Sequence, residues 1–412
     1  MRIAYLSTDF GVPIRGTKGA SVHVRQLVSA LTRRGHDVVV VTPNDGPAGE
    51  TPFPILAMPF AATPALLHAA LADEQVCAGN RLAKDLRNLF YSLWLEGSAA
   101  ALLDDFQPDL LYERYALFGT AGLGLAQRRG VPLLLEVNAP LVEEQREHRG
   151  LSLPEVAVAA QRLVFAGADE LLVVSRWLAD YAQAHGAAAA RVTVVPNAAD
   201  PELFRPRPGP SPIRRRLGWE DRVVLGFVGA MKPWHGVPRL VDALRALGGA
   251  FRLLLVGEGP ALDATRARVR ELGLDDRVHF AGTVLHDEVP DWLAAADVAM
   301  VPYDPAAAQY FSPVKLFECM AMAMPIAAAR AGQTEEILEQ GRYGALYDPG
   351  DPGEPAATVR RLAADLPAAR RVAAAAREHV LAHHTWERNA ERVEQLAARA
   401  LARRQATPAE RR

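Results

Sequence analysis

The chain has 412 residues, half of them hydrophobic, with 46 basic and 48 acidic side chains for a formal charge of −2. That length exceeds one ordinary core and fits two domains of about 200 residues each. The near-neutral balance argues against bulk electrostatic binding to nucleic acid, and no window approaches about 18 uninterrupted apolar residues, so no transmembrane segment is expected.

From the N-terminus, RIAYLST, DVVVVTP, DLLYER, PLLLEV, ELLVVS and VTVVPN read as strands, with helical patterns between them. The first helix, HVRQLVSALTRRG, closes on Gly35 as its C-terminal glycine. Strands apolar on both faces, alternating with helices, indicate a parallel, doubly wound α/β sheet. The order breaks at DPELFRPRPGPSPIRRR, residues 200–216, whose proline content argues against a helix or central strand and marks a linker. A second series follows, VVLGFVG, RLLLVGEG, RVHFAG, VAMVPY, MPIAAA and ALYDP, and then a last helix near 385–404 free to pack on either domain. The expected division is a first domain at 1–200, a linker at 201–220, a second domain at 221–384 and a C-terminal helix and tail at 385–412. Two such domains imply a cleft, with ligands at the carboxyl ends of the strands.

The loops after the strands carry the residues such a site needs. DFGVPIRGTKGASVH places Gly11, Gly16 and Gly19 ahead of a helix, where small residues permit close backbone approach. Asn138 follows PLLLEV, with Glu136 inside the strand. AMKPWHG follows the first strand of the second series and offers Lys232 and His235 as cations. A short Glu258-Gly259-Pro260 loop follows LLLVG. GxGxxG, HExxH, CxxC and GxSxG are all absent. This favours binding and electrostatics over a covalent nucleophile, a bound metal or a nicotinamide cofactor. Cys77 and Cys319 lie far apart in apolar or helical surroundings, as free thiols of a reducing compartment do. With no signal peptide evident in MRIAYLSTDFGVP, the expected location is the cytoplasm.

YFSPVKLFECMAMAMP, residues 310–325, carries two anomalies. Ser312 and Pro313 read as N-cap and first helical residue, which puts Lys315 third, where the helix dipole disfavours a cation. Glu318 falls inside an apolar run of Val314, Leu316, Phe317, Met320 and Met322 that reads as buried. A surface pair between Lys315 and Glu318 is the plain explanation. A polyanion at the helix N-terminus, held by backbone N–H groups and the lysine, answers both anomalies at once.

The ordered set GTKGASVHV, GHDVVVVT, VVSRWLADY, VVPNAADPELFRP, GFVGAMKPWHGV, LLLVGEGP and SPVKLFECMAMAMPI resembles the GT-B glycosyltransferases of family 4 over residues 2 to 390. The resemblance implies two Rossmann-like domains closing over a nucleotide-diphosphate sugar, with the diphosphate as the anion at Ser312, Val314 and Lys315. It implies that Glu318 holds the ribose hydroxyls. The family's first acid falls at Tyr310, its basic pair at Ala230 and His235 with Lys232 as the remaining cation, and its histidine at Asn138. It further implies a retaining, front-face transfer in which a donor phosphate oxygen takes the acceptor proton, with no cofactor or metal. The acceptor would be a small molecule, a glycan or a lipid-linked compound on the first domain, near loops 43–66 and 138–155, with peripheral membrane contact allowed. The other readings are a GT-B epimerase or phosphorylase, a catalytically silent sugar-nucleotide sensor, and a two-lobed solute-binding protein.

Overall fold

The computed structural model describes residues 1–60, 80–304 and 310–406. Cys77 and the 61–66 end of the first acceptor loop lie outside them. The chain forms two compact units: unit 1 is Met1–Pro196 together with Glu387–Arg412, and unit 2 is Asn197–Trp386.

In unit 1, β1 (Arg2–Ser7), β2 (Asp37–Thr42), β3 (Ile55–Ala57), β4 (Leu110–Arg114), β5 (Leu133–Val137), β6 (Glu170–Val173) and β7 (Val192–Val194) form one sheet in the order β3-β2-β1-β4-β5-β6-β7. Every pairing is parallel. The six expected strands are all present. β3 is the addition, a three-residue edge strand between prolines that is too short for a periodic signal. The strand order reverses between β1 and β4, so the loops after these strands open a crevice at their carboxyl ends. Helix Gly19–Arg33 follows the β1 loop, and Gly35, at φ +84°, ends it as the sequence indicates.

The last helix, Trp386–Ala406, belongs to unit 1 from Glu387 onward. Arg404 grips Asp169 through two bonds of 2.9 and 2.7 Å, and Arg399 and Arg403 both reach the fully buried Glu170. Arg34 makes a fork on Glu394 at 2.7 and 2.8 Å, with His36 on the same carboxylate. Forked guanidinium–carboxylate bonds fix orientation as well as contact. The C-terminal helix therefore returns to the first domain.

In unit 2, β8 (Val223–Val228), β9 (Phe251–Val256), β10 (Val278–Gly282), β11 (Val298–Val301), β12 (Ile326–Ala329) and β13 (Ala345–Tyr347) form a parallel sheet in the order β10-β9-β8-β11-β12-β13. All six expected strands are there, and the order reverses between β8 and β11. Residues 201–220, expected to be a linker, lie within unit 2, which begins at Asn197 rather than after residue 200. Part of this stretch is also helical. Ser211 accepts a bond from the Arg214 N–H and Pro212 takes the first position of helix Pro212–Arg216, where its missing N–H costs nothing.

Candidate active site

At the reversal point of unit 2, the loop after β8 meets the helix Val314–Ala321. Gly229, at φ +133°, leaves β8, and the main-chain N–H of Met231 donates to Glu258 O at 2.9 Å. A Cβ at Gly257 would collide with Gly229 O, and one at Gly259 would stand 2.7 Å from Met231 O. The Glu258-Gly259-Pro260 loop thus needs its glycines to lie against the β8 loop.

Lys232, His235 and Lys315 gather here. The Lys315 nitrogen is shielded from water and reaches no hydrogen-bond acceptor among the described residues, although part of its side chain stays exposed. It stands 4.6 Å from the Phe227 ring centre and 5.6 Å from that of Tyr303. Burial lowers its pKa to about 7, against smaller opposing effects of Cys319 and Glu318. His235 donates from Nδ1 to Ala230 O. Burial, and then Lys315 and Lys232, bring its pKa down to about 3. His235 is therefore neutral here rather than the cation its sequence position suggests. The two lysines thus oppose protonation of His235, and this end of the sheet carries a cluster of basic groups.

The start of the Val314–Ala321 helix differs from the sequence expectation. Pro313 is the N-cap and Lys315 the second helical residue. Ser312 does not cap, because its side chain and main chain are taken by another residue. Asn197 N–H donates to Ser312 Oγ at 3.1 Å and Asn197 Nδ2 to Ser312 O at 2.6 Å. As the first two helical residues, Val314 and Lys315 have amides with no acceptor inside the helix. The helix is buried on most sides, Glu318 included.

Glu318 is not paired with Lys315. Its Oε1 accepts a 2.8 Å bond from His286 Nε2, and the His286 ring lies 5.2 Å from that of Phe204. Two pieces of the sequence thereby converge: PNAADPELF supplies Asn197 and Phe204, and SPVKLFE supplies Ser312 and Glu318. Tyr310 offers no carboxylate in place of the family's first acid. Its ring stands edge-on to Phe311, which stacks on Tyr303 at 4.3 Å.

In unit 1, the loop after β1 is shaped by Gly16, where a Cβ would lie 2.7 Å from Pro13 and 3.0 Å from Ser21 Oγ. Arg25 holds this loop by donating to Ile14 O and Gly16 O, each at 2.6 Å. Gly19 opens the helix in free space, where nothing in the fold demands glycine. Asn138, after β5, donates from its amide nitrogen to Glu136 Oε1. Glu136 also takes Arg114 at 2.7 Å, Tyr112 at 2.5 Å and His23 at 3.0 Å. Burial works against ionisation of Glu136, but His23, Arg114 and Tyr112 outweigh it and hold its pKa well below the usual carboxylate range. His23 and Arg114, on Glu136, and His286, on Glu318, are neighbours of the candidate site that the sequence reading missed. The signal for one of them was a charged residue in an apolar strand, Arg114 at the end of β4. Among the described residues no three His, Cys, Asp or Glu side chains form a metal-binding group, and no helix is long and apolar enough to cross a membrane.

The family described as glycosyl transferase 4-like domain matches residues 18–198, and the family described as glycosyl transferases group 1 matches residues 222–365. A D-inositol 3-phosphate glycosyltransferase of Thermomonospora curvata is 32% identical over 68% of this chain and 69% of its own. This chain belongs to the group 1 glycosyltransferases. Its fold is that of GT-B members. Sucrose-phosphate synthase from Thermosynechococcus elongatus superposes with TM-score 0.76 at 23% identity, covering 98% of this chain and 99% of its own. Anabaena HepE in complex with UDP and glucose gives 0.73 at 20%, covering 97% and 99%. The solute-binding reading falls with this membership.

Proposed function

We propose that this glycosyltransferase takes a sugar from a nucleotide-diphosphate donor and transfers it, with retention of configuration and without a metal ion, to an acceptor on unit 1. The observation that carries the donor assignment is the buried Lys315 ammonium with no acceptor, beside Lys232, His235 and the free first amides of a helix. A diphosphate matches all of these in charge and hydrogen bonding.

In this reading Ser312, Val314, Lys315, Lys232 and His235 surround the diphosphate and Glu318 meets the ribose. The bond from sugar C1 to the diphosphate breaks, and the acceptor oxygen bonds to C1 on the same face. The acceptor proton passes to a diphosphate oxygen, leaving the nucleoside diphosphate. Asn138 turns its NH2 toward Glu136 and gives it one N–H, since a carboxylate oxygen only accepts. Its carbonyl oxygen is left to receive the acceptor hydroxyl. An amide oxygen is too weak a base to keep that proton, which suits its delivery to the donor.

UDP-, GDP-, ADP- and dTDP-sugars, screened by thermal shift, identify the base, because a ligand at 100 times its dissociation constant adds about 2.7 kcal/mol of stability. The Thermomonospora relative's name makes inositol phosphate the first acceptor to try, and the HepE complex makes UDP-sugars the first donors. Release of nucleoside diphosphate only when acceptor is added, with the product anomer matching the donor, supports the reading. Release without acceptor indicates an epimerase or hydrolase, and binding without any turnover indicates a sensor.

A further inference from the structure

His286 has no part in the chemistry so far, yet it is the residue that engages the Glu318 carboxylate. It sits after β10, and its ring rests near the fully buried Phe204. Phe204 is itself anchored: its N–H donates to Asp200 O at 2.8 Å, and Arg377 donates to its carbonyl at 3.2 Å. The 2.8 Å bond from His286 Nε2 to Glu318 Oε1 therefore comes from a ring with a fixed seat.

The alternative partner for Glu318 is near. Lys315 stands three residues earlier on the same helix, a spacing at which carboxylate and ammonium ordinarily pair. No bond joins them, and the Lys315 nitrogen has no acceptor. With Oε1 taken by His286, Oε2 of the carboxylate remains for a donor from a ligand, and the lysine remains for an anion.

We propose that His286 is the positioning residue of the nucleotide site: it holds one oxygen of Glu318, presents the other to ribose hydroxyls, and keeps the carboxylate off Lys315. This rests on the donor reading above. Losing the His286 bond releases the carboxylate, and the site then loses its recognition of ribose before anything else.

The experiment compares a nucleoside diphosphate with its 2′,3′-dideoxy counterpart, taking whichever of UDP, GDP or ADP binds. Calorimetry is run on the intact protein, the His286→Ala variant and the His286→Asn variant, which keeps an N–H donor. Thermal melting of each is recorded alongside. The intact protein is expected to favour the ribo form by about tenfold or more, which is about 1.4 kcal/mol. His286→Ala should shrink that preference to about twofold, and His286→Asn should restore much of it. A histidine that merely supports the fold would weaken both probes alike and lower the melting temperature without rescue, and that result overturns the proposal. Unchanged ribose preference in His286→Ala overturns it as well. An intact protein that binds dTDP alone overturns this proposal, and one that binds none of UDP, GDP, ADP and dTDP overturns the donor reading itself and this proposal with it.

Discussion

The Lys315 ammonium lies 4.6 Å from the centre of the Phe227 ring, hidden from water and without a hydrogen-bond acceptor. A cation over an aromatic face recovers about 0.5–2 kcal/mol, less than the several kcal/mol of burying an ion. The protonated lysine therefore carries a cost here, which the proposed diphosphate would offset.

The cost has a pH signature in stability. Burial lowers the Lys315 pKa from 10.5 to about 7. Between these values the unfolded chain holds a proton that the folded chain does not, so this group makes stability rise with pH. Lys315→Met removes the effect. The variant should melt above the parent at about pH 6, with the gap closing from about pH 7 to about pH 10. A variant that melts below the parent at every pH would show that the ammonium stabilises the empty fold.

Ligand binding should carry the opposite slope. An anion favours protonated Lys315, so binding takes up a proton above about pH 7 and affinity falls as pH rises. The groups facing the ammonium are Glu318 and Cys319 on its own helix, Lys232 and His235 after β8, and Tyr303 after β11. Burial keeps Cys319 at about 12 and His235 at about 3, so neither titrates in this window. A nucleotide sugar has no ionising phosphate near neutrality, which leaves the slope to the protein. Calorimetry in buffers of different ionisation enthalpy should show proton uptake at pH 8 that Lys315→Met abolishes. Equal heats in all buffers would contradict it.

Asn138 should separate transfer from donor binding. Asn138→Ala is expected to lower kcat for transfer by about tenfold or more, while nucleoside diphosphate affinity changes by less than about twofold. Glu136→Gln leaves His23 and Arg114 without their carboxylate and should cost about 3–5 kcal/mol of stability. Loss of nucleotide affinity in Asn138→Ala would remove it from the acceptor side.

Turnover should persist in excess EDTA, since Lys232, Lys315 and a helix N-terminus supply the positive charge that a metal would bring. Activity lost in EDTA and restored by Mg²⁺ or Mn²⁺ would refute metal independence.

Much of the fold was legible because the strands are apolar on both faces, so Val38 to Val41 or Leu133 to Leu135 admit few other readings. β3 escaped because three residues carry no period. The Pro212–Arg216 turn escaped because prolines elsewhere in the stretch masked one well-placed proline and its Ser211 cap. At the site, Lys315 and Glu318 were visible as charges in an apolar helix. Their surroundings were not, because His286 reaches Glu318 across 32 residues and Asn197 reaches Ser312 across 115. Local pattern therefore assigned Ser312 to the helix cap, whereas a distant asparagine had already claimed it.

The central claim is that the Lys315 site receives the diphosphate of the donor, and one titration tests it directly. The nucleoside diphosphate found by screening and its parent nucleoside are titrated into the intact protein and Lys315→Met at about pH 6.5. Charge-assisted bonds to the lysine are worth about 1.5–3 kcal/mol, so the variant should bind the diphosphate about 10- to 150-fold more weakly. Its affinity for the nucleoside should stay within about twofold. Equal losses for both ligands, or no loss for the diphosphate, would contradict the assignment.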